Sequence, residues 1–198
     1  MSNFIDTSKI NRFHRLWTEQ WHHEIKRAEV NPYMMPVEEN HEWNFRLWHE
    51  EDIARSEYIP LERIREAKRN IDRFNQARND AIEKIDDCIL SALEMQNFTG
   101  QPAPLHSETP GMMIDRLSIM ALKEYHMQEQ ADSTSAEEDV RIKCSNRVRV
   151  LKEQQQDLSD ALSRLIEEIF HGRRRFKVYR QFKMYNDPAL NPYLQKSN

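Results

Sequence analysis

Asp72, Asn75, Gln76, Asn79, Glu83 and Asp86 crowd one side of the stretch IDRFNQARNDAIEKIDD, residues 71–87, which is helical by every local rule. At 100° per residue they fill an arc of about 100°. Solvated helix faces are usually written in Glu, Lys and Arg. Asn and Asp weaken a helix interior, because their short side chains compete for nearby backbone groups. Amides and carboxylates so arranged hydrogen-bond either a polar ligand or the polar groups of a second helix. Arg78 falls among the apolar positions Ile71, Phe74, Ala81, Ile82 and Ile85. A buried guanidinium without a partner is very costly, so Arg78 must meet a carboxylate or an anionic ligand.

The stretch NFRLWHEEDIAR repeats the pattern. Asn44, Leu47, Trp48, Glu51, Asp52 and Arg55 lie within an arc of about 140°. Farther on, GMMIDRLSIMALKEYHM is apolar almost all round yet carries Asp115, Arg116, Lys123 and His126. Such a helix belongs at the centre of a bundle. Its start, TPGMM, offers free backbone N–H groups as a seat for an anion, and Gly111 would let a ligand come close. Two readings of these stripes stand together. One is a pocket between the second, third and fourth helices; the other is a buried polar network that sets helix register.

The elements that must position these groups are five helices. The first is expected over about 7–28, with Ile10, Phe13, Trp17, Trp21, Ile25 and Ala28 on one face. NPYMMP breaks the chain, since Pro32 and Pro36 cannot sit in a helix interior. The second helix runs over about 37–56, and the third from Pro60 to about 96. Thr109 is an N-cap with Pro110 in the first turn of the fourth, which reaches about residue 130. Ser135 and Glu138 read as a capping box opening the fifth, which ends at His171 with Gly172 just beyond. The third and fifth helices are the long ones, each about 50 Å at 1.5 Å per residue. Cys144, Val148, Leu151, Gln155, Leu158, Leu162, Leu165 and Ile169 form a regular seam. It serves either packing within one chain or a homodimer in which Gln155 sets register. The tail, RRRFKVYRQFKMYNDPALNPYLQ, is basic and aromatic; its many aromatics are expected to dock it on the bundle with its cations meeting the acidic helices, and RNA is the other reading.

Composition agrees with an all-α fold. Hydrophobic residues are 38% and charged residues 31%, and three glycines are too few for a turn-rich β protein. A net charge of −4 points to neither nucleic acid nor an acidic membrane surface. Cys88 and Cys144 form no metal pattern and read as free thiols of a reducing cytoplasm. The opening residues, MSNFIDTSKINRFHRLW, carry charges every few positions and read as no signal peptide. No apolar run approaches a membrane span, so a soluble, cytoplasmic protein is expected.

Reaction motifs are scarce. His22 with His23, or His41 with His49, match no zinc spacing, and the metal-site expectation is therefore none. There is no GxSxG, P-loop or GxGxxG, so hydrolase, kinase-like and dinucleotide readings lack their motifs, and the cofactor stays unknown. Glu39xxGlu42 and Glu83xxAsp86 loosely resemble the acid pairs of all-helical nucleotide pyrophosphohydrolases, at a longer separation than that pattern usually has.

Four stretches together, NFRLWHEEDIAR, AKRNIDRFNQARNDAIEKID, ETPGMMIDRLSIMALKEYHM and KVYRQFKMYNDPALNP, resemble the bacterial family called domain of unknown function 4254. The resemblance implies gene neighbourhoods rich in glycosyltransferases and other envelope-polysaccharide functions. It marks Asn44, Trp48, Glu51, Asp52, Arg55, Asn75, Arg78, Asn79, Asp115, Arg116, Lys177 and Arg180 as motif positions. These largely coincide with the misfit polar positions.

The expectation is a single all-helical domain over 1–198: an N-terminal helix and linker over 1–36, core helices over 37–171, and a docked tail over 172–198. Its function would be that of an accessory factor in surface-polysaccharide or lipopolysaccharide synthesis, with a glycosyltransferase as partner. Its ligand would be a nucleotide-sugar or sugar phosphate. Arg78, Arg116, Lys177 and Arg180 would meet negative charge, Asn75, Asn79, Glu51 and Asp52 would bind hydroxyls, and Trp48 would stack. The alternatives are a metal-dependent hydrolase or transferase using Glu51, Asp52, Glu83 and Asp115, and a helical interaction scaffold with no ligand.

Overall fold

Asp6 opens the first helix, α1 (Thr7–Trp21), by accepting the backbone N–H groups of Ser8 and Lys9 at 3.0 and 3.3 Å. The computed structural model describes residues 6–27, 31–95, 102–182 and 189–195. α1 is shorter than its apolar period predicts. The His22 ring takes the Thr18 carbonyl, and Gln20 O accepts from both His23 and Glu24, so the regular ladder stops. Ile25 then lies on the surface, and Ala28 is outside the described residues.

Asn31 Oδ1 accepts the N–H groups of Tyr33 and Met34 and turns the chain into α2 (Met35–Arg55), with Pro36 in its first turn. Pro60 leads into α3 (Leu61–Met95), and its carbonyl accepts from Arg63 and Ile64. Thr109 caps α4 (Pro110–Asp132) by accepting the Met112 N–H at 3.2 Å. α5 (Glu138–Phe170) does not use the expected capping box. Its N-cap is Glu137, which makes no side-chain cap bond, and the Ser135 hydroxyl pairs with Ser133 instead. Past its C-terminus Gly172 takes φ 68°, the left-handed turn that glycine makes without strain.

Among the described residues the result is an all-α bundle of five α-helices. α2 lies along α3, α4 lies along α5, and α1 rests on α4, α5 and α2. α4 also touches α2 and α3, so the most apolar helix is the central one. Ile10, Trp17, Ile89, Ile114, Leu117, Leu122, Leu162 and Ile169 form its fully buried heart. The α5 seam is buried within the chain at Cys144, Val148, Leu158, Leu162, Leu165 and Ile169. Those side chains pack within the chain, where α5 lies along α4, which is the first of the two readings of the seam. Cys88 and Cys144 are both free.

The tail docks, but not through its aromatics as a group. Phe176 is buried, whereas Phe182 and Tyr193 are exposed. Arg175 joins the loop before α4: its N–H donates to Pro104 O at 3.1 Å and its carbonyl accepts from His106 at 2.8 Å. Arg180 clasps Glu83 and Asp87 of α3 at 2.8–3.0 Å. No helix among the described residues is long and apolar enough to cross a membrane.

Candidate functional site

A cavity of about 340 Å³ opens between α2, α3 and α4. Asn44, Trp48, Glu51, Asp52 and Arg55 of α2 face Asn75 and Arg78 of α3 across it, and Leu47, Ile119 and Leu122 complete the wall. Helical period explains each half. The residues on α2 step by three or four along one face, and Asn75 and Arg78 are three apart on α3.

Beneath this cavity lies a polar network that ties α2 to α4. Asn40 and Asn44 donate to Asp115 Oδ1 at 2.9 and 2.8 Å, and Asn44 donates also to Ser118 Oγ at 3.0 Å. Thr18 Oγ1 donates to His14 O at 2.8 Å, so it accepts from His41 Nε2 at 3.0 Å. His41 Nδ1 is then the acceptor for the Ser118 hydroxyl at 2.8 Å. Burial, with His14 stacked 4.7 Å away, pushes His41 well below the usual imidazole range and keeps that ring neutral. The network fixes register between α1, α2 and α4.

Arg78 sits between network and cavity. Its Nε is 4.0 Å from Asp115 Oδ1, a charge contact too long for a hydrogen bond, and that nitrogen is buried without a hydrogen-bond partner. Its Nη2 reaches Asn79 Oδ1 at 3.4 Å. The guanidinium is thus incompletely satisfied and lines an open space. Arg55, the other cation on the cavity, is held by Glu51 at 2.9 Å and Asp52 at 3.7 Å.

Seven of the twelve positions singled out from the sequence line this cavity, and Asp115 supports it from below. The remaining four are elsewhere. Asn79 donates to Gln181 Oε1 of the tail at 2.8 Å. Arg180 is engaged with Glu83 and Asp87. Arg116 pairs with Glu108 at 2.8 Å and lines a separate cavity with Lys123 and Asp157. Lys177 is exposed. Of the four cations expected to meet negative charge, Arg78 alone lines this cavity: Arg116 is held by Glu108, Arg180 by Glu83 and Asp87, and Lys177 is exposed.

The predicted anion seat at the start of α4 is filled from within. Asp86 of α3 accepts the Gly111 N–H at 2.7 Å, and what Gly111 lets come close is α3 itself. The acid pairs have separate partners too. Glu39 meets Lys84, Glu42 meets Arg27 and Arg46, and Glu83 meets Arg180. Glu51, Asp52, Glu83 and Asp115 do not gather as a ligand set; among the described residues the group that does is His22, His49 and His126. Burial, then the neighbouring His22 and His126, lowers His49 from the usual imidazole range. Sequence spacing missed this trio, because it comes from the end of α1, from α2 and from α4. A signal was present in His49 and His126, each near the polar stripe of its own helix.

Fold and cavity define an all-helical bundle protein with a polar pocket between three helices. The chain belongs to the family described as protein of unknown function (DUF4254), whose model matches residues 34–178. That span carries both walls of the cavity. No curated protein and no solved structure matches the chain.

Proposed function

We propose that the cavity between α2, α3 and α4 binds a small, hydroxyl-rich ligand carrying one anionic group, of the nucleotide-sugar or sugar-phosphate class. The observation that carries this reading is Arg78. An incompletely paired guanidinium lines an open cavity that also presents two carboxylates, two amides and the apolar side chains of Leu47, Trp48, Ile119 and Leu122. Arg78 would take the phosphate, for which a planar fork of donors is suited. Glu51 and Asp52 would accept from sugar hydroxyls, and Asn75 and Asn44 would supply amide contacts. Trp48 offers an apolar wall, with one face already stacked on His126 at 4.8 Å.

The glycosyltransferase neighbourhood implied by the family resemblance favours this class and an accessory role in surface-polysaccharide synthesis. The test is a thermal-shift and calorimetric panel of nucleotides, nucleotide-sugars and sugar phosphates. At a hundred times its dissociation constant a ligand adds about 2.7 kcal/mol of stability. The expected result is a hit lost in Arg78→Ala and Asn75→Ala, both still folded. Silence across the panel overturns the reading and favours an interaction scaffold.

A further inference from the structure

His22 follows α1, His49 lies in α2 and His126 lies in α4, and one ring nitrogen of each is within 4.8 Å of the other two. Two of the rings have their Nδ1 atoms engaged outward. His22 Nδ1 is 2.7 Å from the Thr18 carbonyl oxygen, and His126 Nδ1 is 2.8 Å from Glu129 Oε2. Both partner oxygens only accept, so each Nδ1 carries the proton and donates it. A neutral ring fixed in that tautomer has a bare lone pair on Nε2.

Both of those Nε2 atoms are buried, and neither has a hydrogen-bond partner. Buried acceptors are costly to leave unsatisfied. Two of them together, beside a third imidazole, ask for a shared electrophile. A carbonyl or carboxylate behind the ring is also the outer contact that orients metal-bound histidines and raises their basicity.

We infer that His22, His49 and His126 form a binding site for a divalent transition metal of the zinc class. Imidazole nitrogen suits zinc, and three histidines leave a fourth position for water or another ligand. Loading draws the nitrogens from within 4.8 Å of one another to about 3.3 Å, the spacing that bonds near 2.05 Å set in a tetrahedron. The rings are already oriented by packing: His22 stacks on Tyr125 at 4.2 Å and His126 on Trp48 at 4.8 Å. A metal there pins the end of α1 to α2 and α4. This site stands independently of the cavity ligand.

The experiment uses tag-free full chain, stripped with a chelator and titrated separately with Zn²⁺ and Co²⁺. Calorimetry and elemental analysis should give one equivalent of Zn²⁺, with a raised Tm. Bound Co²⁺ should show the strong visible absorption of tetrahedral coordination. His49→Gln and His126→Gln should each abolish that signal, while His23→Gln, an exposed neighbour, should leave it intact. Glu129→Ala keeps all three rings but removes the oxygen that accepts from His126 Nδ1, and should weaken binding about 10–100-fold. It sits at the surface and is expected to fold, so it decides the matter if the histidine variants do not. Wild-type protein that takes up no stoichiometric metal overturns the site. So does uptake unchanged in folded His49→Gln and His126→Gln, or in Glu129→Ala where those do not fold.

Discussion

Asp86 of α3 caps α4 through Gly111: its carboxylate accepts the Gly111 N–H at 2.7 Å, and the helices meet so closely there that no Cβ fits. The positive end of α4 thus faces a carboxylate from its own chain. Pro110 leaves no N–H beside it to satisfy, and Thr109 takes the Met112 N–H.

Gly111→Ala should therefore be strongly destabilising. The added Cβ would lie 2.6 Å from Ile82 O and 2.9 Å from Asp86 Oδ1. A backbone oxygen cannot swing aside as a side-chain tip can, so α4 must shift. The expected loss is about 1–3 kcal/mol by urea unfolding. An unchanged midpoint would contradict the close approach.

Asp86 also predicts a pH dependence. Burial raises its pKa from an ordinary 3.8 to about 6, against the lowering bonds from Thr109 and Gly111; nearby Asp87 raises it and Arg180 lowers it. The folded state then holds a proton that the unfolded state releases. Stability contributed by this group falls as pH rises from about 4 to about 6, by about 3 kcal/mol, and is flat above. Asp86→Asn should remove this component. The check is the wild-type-minus-variant difference in unfolding free energy at pH 4, 5, 6 and 7, and a difference independent of pH would refute it.

Asp115 and Arg78 should part in their effects. Asp115 holds two buried amides, so Asp115→Ala should cost about 2–3 kcal/mol. Arg78 is joined to Asp115 only by the 4.0 Å contact. Arg78→Ala should cost no more than about 1 kcal/mol and act on ligand binding instead. Chemical denaturation of both variants tests this, and an Arg78→Ala loss equal to that of Asp115→Ala would assign Arg78 to the structural network.

Arg180→Ala should release the tail without unfolding the bundle. It removes the clasp on Glu83 and Asp87, while Phe176 stays buried behind it. Limited trypsin digestion should cut faster at Lys177, with the helical circular-dichroism signal unchanged. Equal cleavage rates would show that the clasp does not hold the tail.

Much of the molecule was legible in the linear chain because helix geometry is local. A period of 3.6 residues places Ile85 and Ile89 inward, sets Asn44 beside Trp48, and makes α4 central by its apolar surround. Thr109 before Pro110, and Gly172 after α5, mark helix ends by the conformations those residue types prefer. The inward reading of the misfit residues of α3 holds for Asn75, Asn79 and Asp86, but not for Asp72 and Gln76, which make exposed pairs with Lys68 and Asp80. What the stripe faces could not be read, because partner choice depends on where other helices cross. Tertiary structure divided that one stripe four ways: Asn75 to the cavity, Asn79 and Glu83 to the tail, Asp86 to the start of α4, and Asp72 and Gln76 to exposed pairs with Lys68 and Asp80 of α3 itself. It also drew His22, His49 and His126 together from three elements. No spacing rule reaches across such separations, since a contact between helices is set by packing and not by the chain between them.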